Sequence, residues 1–207
     1  MLNRFITCPL IIVAGFVLNA CATQSLPAEL ATPKAASVVA ATIDAAPDGE
    51  PTTSYEPMRA LIPFAGTVMR GSWTEEDGST VIDISYGEFI LDGRAYQGTH
   101  KIEGSPYGGR TIIFYDEGSE EYIFHYFTTA GFHTMGTLTM LENGYRGGEK
   151  VEGHPSVAEV ESVLTIEGDA HIVKVRYRSH DGEWSDAPPR TYRPYSGAKP
   201  FTQEKSE

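Results

Sequence analysis

The stretch 122-YIFHYFTTAGFHTMGTLTM-140 holds two of the chain's six histidines, His125 and His133. An imidazole can anchor a polar group of a ligand, ligate a metal or haem, or exchange a proton near neutral pH. Two imidazoles serve one site only if they point to the same side, and the turn between them decides this. Gly131 lies in that turn, and the flanking runs are rich in the aromatic and β-branched residues that favour strands.

The length of the hairpin loop sets the register of these two runs. A two-residue loop would send the histidines to opposite faces. A three-residue loop over 129–131 pairs Phe127 with His133 and places His125 diagonal to His133 on the same face. Three-residue loops favour a left-handed glycine in their last position, which Gly131 supplies, so we predict this register. One long strand bent by a bulge at Gly131 is the remaining alternative.

The predicted register places His125, Phe127, His133 and Met135 on one face of the hairpin. We predict that this face lines a cavity, with one histidine as a polar anchor for a ligand. The alternative is that both imidazoles are hydrogen-bonded residues of the core or the rim.

Tyr96, Tyr126 and Arg94 are further candidate ligand contacts. Tyrosine suits a cavity wall because it joins an apolar body to a polar tip. Arg94 would bind a carboxylate if it pointed inward, and a solvated face is its alternative. The chain has no Gly-x-Ser-x-Gly and no His-Glu-x-x-His motif. We therefore assign no catalytic residue and no metal site, and an enzyme is the minor interpretation.

Regularly spaced turn signals between 57 and 195 predict the elements that position these residues. Turn signals such as Asp77-Gly78, Asp92-Gly93 and Asn143-Gly144 separate short runs. A short helix is predicted over 57–64. The predicted strands are 65–74, 79–91, 94–103, 110–115, 120–128, 132–142, 145–152, 157–166, 170–179 and 183–193.

Alternation along these runs indicates antiparallel strands with one wet face. In 171-HIVKVRYRS-179, Val173, Val175 and Tyr177 alternate with charged residues. Sequential strands with tight turns predict an all-β domain, a single antiparallel up-and-down β-barrel of about ten strands, because closure removes the sheet edges. A β-sandwich of two sheets is the alternative.

The order of elements resembles a known superfamily. A short helix, a strand near 66-GTVMRGSW-73 and a series of hairpins resemble the lipocalin and fatty-acid-binding (calycin) barrels. The Gly-x-Trp that such barrels tend to have on the first strand is at 71-GSW-73 here, five positions after Gly66-Thr67-Val68. Nitrobindin-like and bacterial lipocalin-like domains are the most similar within this superfamily. The resemblance implies a barrel that binds a small apolar or amphipathic ligand. We expect no cofactor, although the nitrobindin-like members imply haem as a minor alternative, and an isomerase-type barrel is another.

The N-terminus resembles an export signal with a bacterial lipobox. Residues 1–20 carry Arg4 and then a mostly apolar segment too short to span a bilayer. The motif 18-LNAC-21 implies cleavage before Cys21 and lipidation of its thiol, so the bilayer is an expected partner. Ala22 after the cysteine implies an outer-membrane, periplasm-facing location in a Gram-negative bacterium. Ordinary secretory cleavage nearby is the alternative.

The flanking segments are predicted to lack a fold of their own. Residues 21–56 are rich in Ala, Pro and Thr and predict a flexible tether, and 196–207 predict a disordered polar tail. A net charge of −12 argues against a nucleic-acid partner. The leading hypothesis is a membrane-anchored ligand-binding barrel, and the alternative is a structural or interaction lipoprotein with a packed barrel.

Overall fold

The computed structural model describes residues 11–13, 15–17, 52–75 and 77–201. Two short strands near the N-terminus, β1 (Ile11–Val13) and β2 (Gly15–Val17), pair with each other in a sheet of their own. Cys21 and the rest of the predicted tether up to 51 lie outside the described residues. The lipidation of Cys21 therefore stays a prediction.

A 3-10 helix and eleven strands form the folded domain. The helix spans Glu56–Phe64, where Pro57 suits the first turn and a second proline, Pro63, lies close to the end. The strands are β3 (Val68–Thr74), β4 (Thr80–Ile90), β5 (Ala95–Ile102), β6 (Gly108–Asp116), β7 (Glu121–Thr128), β8 (His133–Leu141), β9 (Gly144–Glu152), β10 (Val157–Glu167), β11 (Ala170–Ser179), β12 (Trp184–Asp186) and β13 (Arg190–Pro194).

Ten of these strands close into a barrel. Each strand from β3 to β11 pairs antiparallel with its neighbour in the chain. Strand β13 lies between β11 and β3 and completes the ring. The predicted single barrel of about ten strands is confirmed, and the sandwich is not formed.

The last predicted strand, 183–193, is two strands. Pro188 and Pro189 lie between β12 and β13, and proline cannot donate to a sheet ladder. Strand β12 adds to β11 at Arg176–Arg178, whereas β13 pairs with it at 171–173. Only β13 therefore belongs to the closed ring.

The alternation predicted for β11 is confirmed and defines the two faces of the wall. Val173, Val175 and Tyr177 are buried inside. Arg176 lies outside and pairs with Glu161 of β10 across the strand boundary. The hydrophobic core thus lies inside the barrel, and the Arg176–Glu161 ion pair lies on its outer surface.

The 3-10 helix covers one end of the barrel. Met58 and Leu61 are completely buried. The Tyr96 hydroxyl on β5 donates a hydrogen bond of 2.9 Å to the Phe64 carbonyl at the end of the helix. The part of the chain that the structure describes has no helix long and apolar enough to cross a membrane.

The chain continues after β13 along the outer surface. Lys199 places its Nζ 3.9 Å from the centre of the Tyr86 ring. Phe201 lies beside Lys101, and the two line a surface groove together with Ile84. The described part of the predicted tail therefore lies against the outer faces of β4 and β5.

Candidate ligand cavity

The hairpin register predicted for the two histidines is confirmed. Phe127 pairs with His133, and His125 pairs with Met135. Gly131 has a φ of 86°, the left-handed conformation that the last position of a three-residue loop requires. His125 and His133 therefore share one face.

That face is the outer surface, so the prediction that it lines a cavity is wrong. Phe127 is 52% exposed and Met135 is 49% exposed. The Phe127 ring stacks with the imidazoles of His125 and His133, each at a centroid distance of 6.3 Å. The hairpin turns its other face inward, because burial of the large apolar side chains on that face is favourable. These buried residues are Phe124, Tyr126, Phe132 and Leu138.

The remaining predicted contacts are divided between the interior and the surface. Tyr96 and Tyr126 are buried in the barrel, and Tyr96 lines a cavity. Arg94 lies outside, with its side chain 66% exposed and its guanidinium 4.6 Å from the Tyr55 ring centre. The inward orientation considered for Arg94 is therefore wrong, because its strand has not yet entered the barrel wall at the Leu91–Arg94 turn.

The cavity has a volume of about 140 Å³ and lies beneath the 3-10 helix. Leu61 and Phe64 of the helix line it on one side, and Asp83, His100 and Tyr192 line it deeper in the barrel. The walls between are mostly apolar or aromatic. They include Met69, Tyr96, Ile113, Tyr145, Leu164, His171 and Val173.

A buried hydrogen-bonded chain forms the deep side of this cavity. Asp83 accepts from His100 Nδ1 at 3.0 Å and from the Tyr192 hydroxyl at 3.0 Å. Because a carboxylate only accepts, Nδ1 of His100 donates to it, and Nε2 of the same ring is hydrogen-bonded to the Tyr126 hydroxyl at 2.7 Å. The hydroxyls of Tyr107 and Tyr126 are hydrogen-bonded to each other at 3.0 Å. Burial raises the pKa of Tyr192 and of Tyr107, so both remain donors.

In this hydrogen-bonded network, His100 and Asp83 already have partners within the protein. Both nitrogens of His100 and both oxygens of Asp83 have protein partners. His100 is therefore not placed to accept a proton from a ligand. Its arrangement fixes the relative positions of β4, β5, β7 and β13 instead.

The cavity also has polar side chains without such a partner, and Tyr145 and His171 are the two aromatic ones beside Phe64. Tyr145 and His171 make no side-chain hydrogen bond within the described residues, and both rings meet the Phe64 ring edge-on at 5.3 and 5.6 Å. Burial raises the pKa of Tyr145 to about 12 and lowers the pKa of His171. Both are neutral at pH 7, so the cavity offers a phenol donor and an imidazole that can donate and accept.

A second polar group lies elsewhere in the lumen. Glu149 of β9 accepts a hydrogen bond from the Thr134 hydroxyl, and burial raises the pKa of Glu149 to about 7. Arg190 is 1% exposed, and its guanidinium lies 4.5 Å from the centre of the Trp73 ring. Trp73, singled out by the Gly-x-Trp pattern, thus packs inside the barrel beneath a cation.

The sequence interpretation missed the polar residues that surround the cavity. Asp83 lies between Ile82 and Ile84, so simple alternation would point it to solvent and the isoleucines inward. Ile84 is nevertheless buried on the outer side, where it shares a groove with the C-terminal segment. His100 lies on the same face of β5 as Tyr96, and His171 lies on the same face of β11 as Val173. Both strands were predicted correctly, so their alternation could have identified the two histidines as inward-facing.

Haem does not fit this cavity. Its volume of about 140 Å³ is below the roughly 300–1,000 Å³ of pockets for drug-sized ligands, which are smaller than haem. His125 and His133 lie on the outer face, away from it. Among the described residues, no group of three or more His, Cys, Asp or Glu side chains is arranged to hold a metal ion.

The fold places this domain among the all-β barrels. A closed ten-stranded antiparallel barrel with a short helix over one end is compatible with a lipocalin-like fold. No family model matches the sequence, and no curated protein matches it.

Proposed function

We propose that this protein is a lipid-anchored periplasmic barrel that binds a small apolar or amphipathic molecule in the cavity beneath its 3-10 helix. The observation that carries the proposal is a cavity of about 140 Å³ whose walls are largely apolar and whose Tyr145 and His171 have no side-chain hydrogen bond to any described residue. Ligand pockets typically combine such walls with a few polar groups that set orientation.

Retention of a small molecule tests the binding function. The full chain is purified, and its mass is measured under native conditions and again after denaturation. We expect extra native mass that denaturation releases. Gly98→Ala should reduce the retained mass, because Gly98 lines the cavity and the added methyl group would occupy part of it. The added Cβ would lie 3.4 Å from the Tyr96 ring, which is an ordinary contact, so we expect the variant to fold.

Gly148→Ala is the matched control. The same methyl group at Gly148 would meet nothing within 4 Å, so we expect this variant to retain the molecule. Equal native and denatured masses, with no small molecule in the extract, would contradict the proposal.

The anchoring part of the proposal rests on the lipobox. We expect Cys21→Ser to abolish labelling by a radioactive fatty acid and to release the chain from the membrane fraction. Cys8→Ser changes the only other cysteine and should leave both unchanged. Labelling that survives in Cys21→Ser would refute lipidation at this residue.

The outer face of β7 and β8 favours a second candidate, an interaction lipoprotein. Phe127 and Met135 are half exposed beside two stacked imidazoles. Contiguous exposed apolar surface marks contact sites in many proteins. If the protein is an interaction lipoprotein, Phe127→Ser should dissociate a larger complex on native gels. If it is a ligand-binding barrel, Phe127→Ser should leave the retention of the small molecule unchanged.

A further inference from the structure

We infer that the cavity selects a neutral, phenol-sized aromatic molecule that carries a hydroxyl or carbonyl group, an inference that rests on the proposed binding function. The volume of the cavity matches a single ring. A cavity of about 150 Å³ lined by apolar side chains holds one benzene ring in another protein. The cavity of about 140 Å³ here therefore has room for one ring with a small substituent.

The aromatic side chains in the walls of the cavity favour an aromatic occupant. Phe64 meets Tyr145 and His171 in edge-on contacts, and Phe89 meets Tyr96 in the same way at 5.9 Å. Three of these rings, Phe64, Tyr96 and Tyr145, line the cavity together with His171. Aromatic pairs gain about 0.5–1.5 kcal/mol beyond the area that they bury.

The electrostatics of the cavity argue against an ionic occupant. Among the described residues that line it, Asp83 is the one carboxyl group, and both of its oxygens already accept hydrogen bonds. An ammonium ion would have to share these oxygens with His100 and Tyr192. A carboxylate ligand would meet no lysine or arginine among the described lining residues. The desolvation of either ion would therefore be compensated only in part.

The unused hydrogen-bonding groups define the polar end of the ligand. Tyr145, with its pKa raised to about 12, donates, and neutral His171 accepts or donates. A phenol hydroxyl complements groups of this kind because it can both accept and donate a hydrogen bond. Ser85 and Thr111 add two hydroxyls to the lining without adding charge.

The test is a titration of the full chain in detergent with four single-ring probes, with protein-free micelles as the blank. Phenol is the expected ligand type, toluene lacks the hydroxyl, and benzoate and benzylammonium carry opposite charges. We expect phenol and toluene to bind and the two ions to bind at least about tenfold more weakly than phenol. Tighter binding of either ion would overturn the inference while leaving a binding barrel in place.

Tyr145→Phe isolates the hydrogen bond, since it removes one oxygen from the wall. We expect the affinity for phenol to fall about fivefold to tenfold, as for one lost hydrogen bond, and the affinity for toluene to change less than about twofold. Tyr195→Phe, at an exposed tyrosine, is the control and should change neither. Equal effects of Tyr145→Phe on both probes would overturn the inference.

Location is tested with the glycine pair. Gly98→Ala should weaken both phenol and toluene, and Gly148→Ala neither. Binding that is insensitive to Gly98→Ala would place the probes elsewhere and overturn the inference. If none of the four probes binds, the inference fails, and the comparison of native and denatured mass decides the proposed function separately.

Discussion

The Asp83 carboxylate and the His100 imidazole meet at 3.0 Å in the centre of the barrel, on strands that are neighbours in the sheet. Asp83 is completely buried, and it also accepts from Tyr192 on β13. The Asp83 carboxylate on β4 thus connects β5 to β13, the strand that closes the barrel. The contact also forms part of the cavity lining, so stability and binding depend on the same side chains.

Loss of the Asp83 carboxylate should therefore be costly. Asp83→Ala leaves two buried donors, on His100 and Tyr192, without a partner, and each costs about 1–3 kcal/mol. We expect the free energy of unfolding in urea to fall by about 3 kcal/mol or more. Asp169→Ala, which removes an exposed partner of Arg193, should cost less than about 1 kcal/mol. A loss below about 1 kcal/mol in Asp83→Ala would show that the network contributes little.

Glu149 should make stability depend on pH. Part of its surface remains accessible, yet its carboxyl points into the lumen towards the buried Thr134, so we expect desolvation to dominate. The folded carboxyl then keeps its proton up to a pKa of about 7, whereas the unfolded one loses it near 4.5. The folded state binds more protons between these values, so the free energy of unfolding falls as the pH rises through that window.

The fall should total about 3 kcal/mol at most and level off above pH 7. Glu149→Gln removes the titration and keeps an acceptor for Thr134. We expect it to lose this slope and to be more stable than the wild type at pH 8, as measured by urea unfolding across the pH range. Glu161→Gln, on the outer surface, should keep the wild-type slope. A wild-type slope in Glu149→Gln would assign the pH dependence to another group.

Two phenylalanines on β7 test which face is inside. Phe124 is 6% exposed and Phe127 is 52% exposed. Phe124→Ala should lower the free energy of unfolding by about 3–5 kcal/mol, because it leaves a cavity in the core. Phe127→Ala should cost less than about 1 kcal/mol, because its ring is largely in solvent. The reverse order of the two losses would mean that His125 and His133 face the interior after all.

Gly87 has room for no side chain. A Cβ there would overlap the Tyr96 hydroxyl and lie 2.7 Å from the Phe64 carbonyl oxygen, the two atoms that tie the helix to the barrel. We expect Gly87→Ala to lower the free energy of unfolding by about 1–3 kcal/mol, as overpacking typically does. Gly148→Ala, which adds the same methyl group in open space, is the control. A neutral Gly87→Ala would indicate that the helix moves away without loss.

Local patterns determined much of this protein. The turn glycines and the period-two runs predicted the strands and the barrel, because turn chemistry and alternation depend only on neighbours in the chain. The loop length around Gly131 predicted the pairing of Phe127 with His133 for the same reason. The lipobox around Cys21 is also a local pattern, and its consequence stays a prediction.

For strands that are apolar on both faces, tertiary structure alone decided which face is inside. The two faces of the β7–β8 hairpin are both apolar, so the sequence could not choose between His125 and Tyr126 as the inward residue. Tyr126 is inside because its hydroxyl meets His100 and Tyr107 there, and those partners come from other strands. Asp83 is inside for the same reason, although its neighbours Ile82 and Ile84 predict the opposite. A buried polar group is stable only where partners converge, and that convergence is a property of the closed barrel rather than of any one segment.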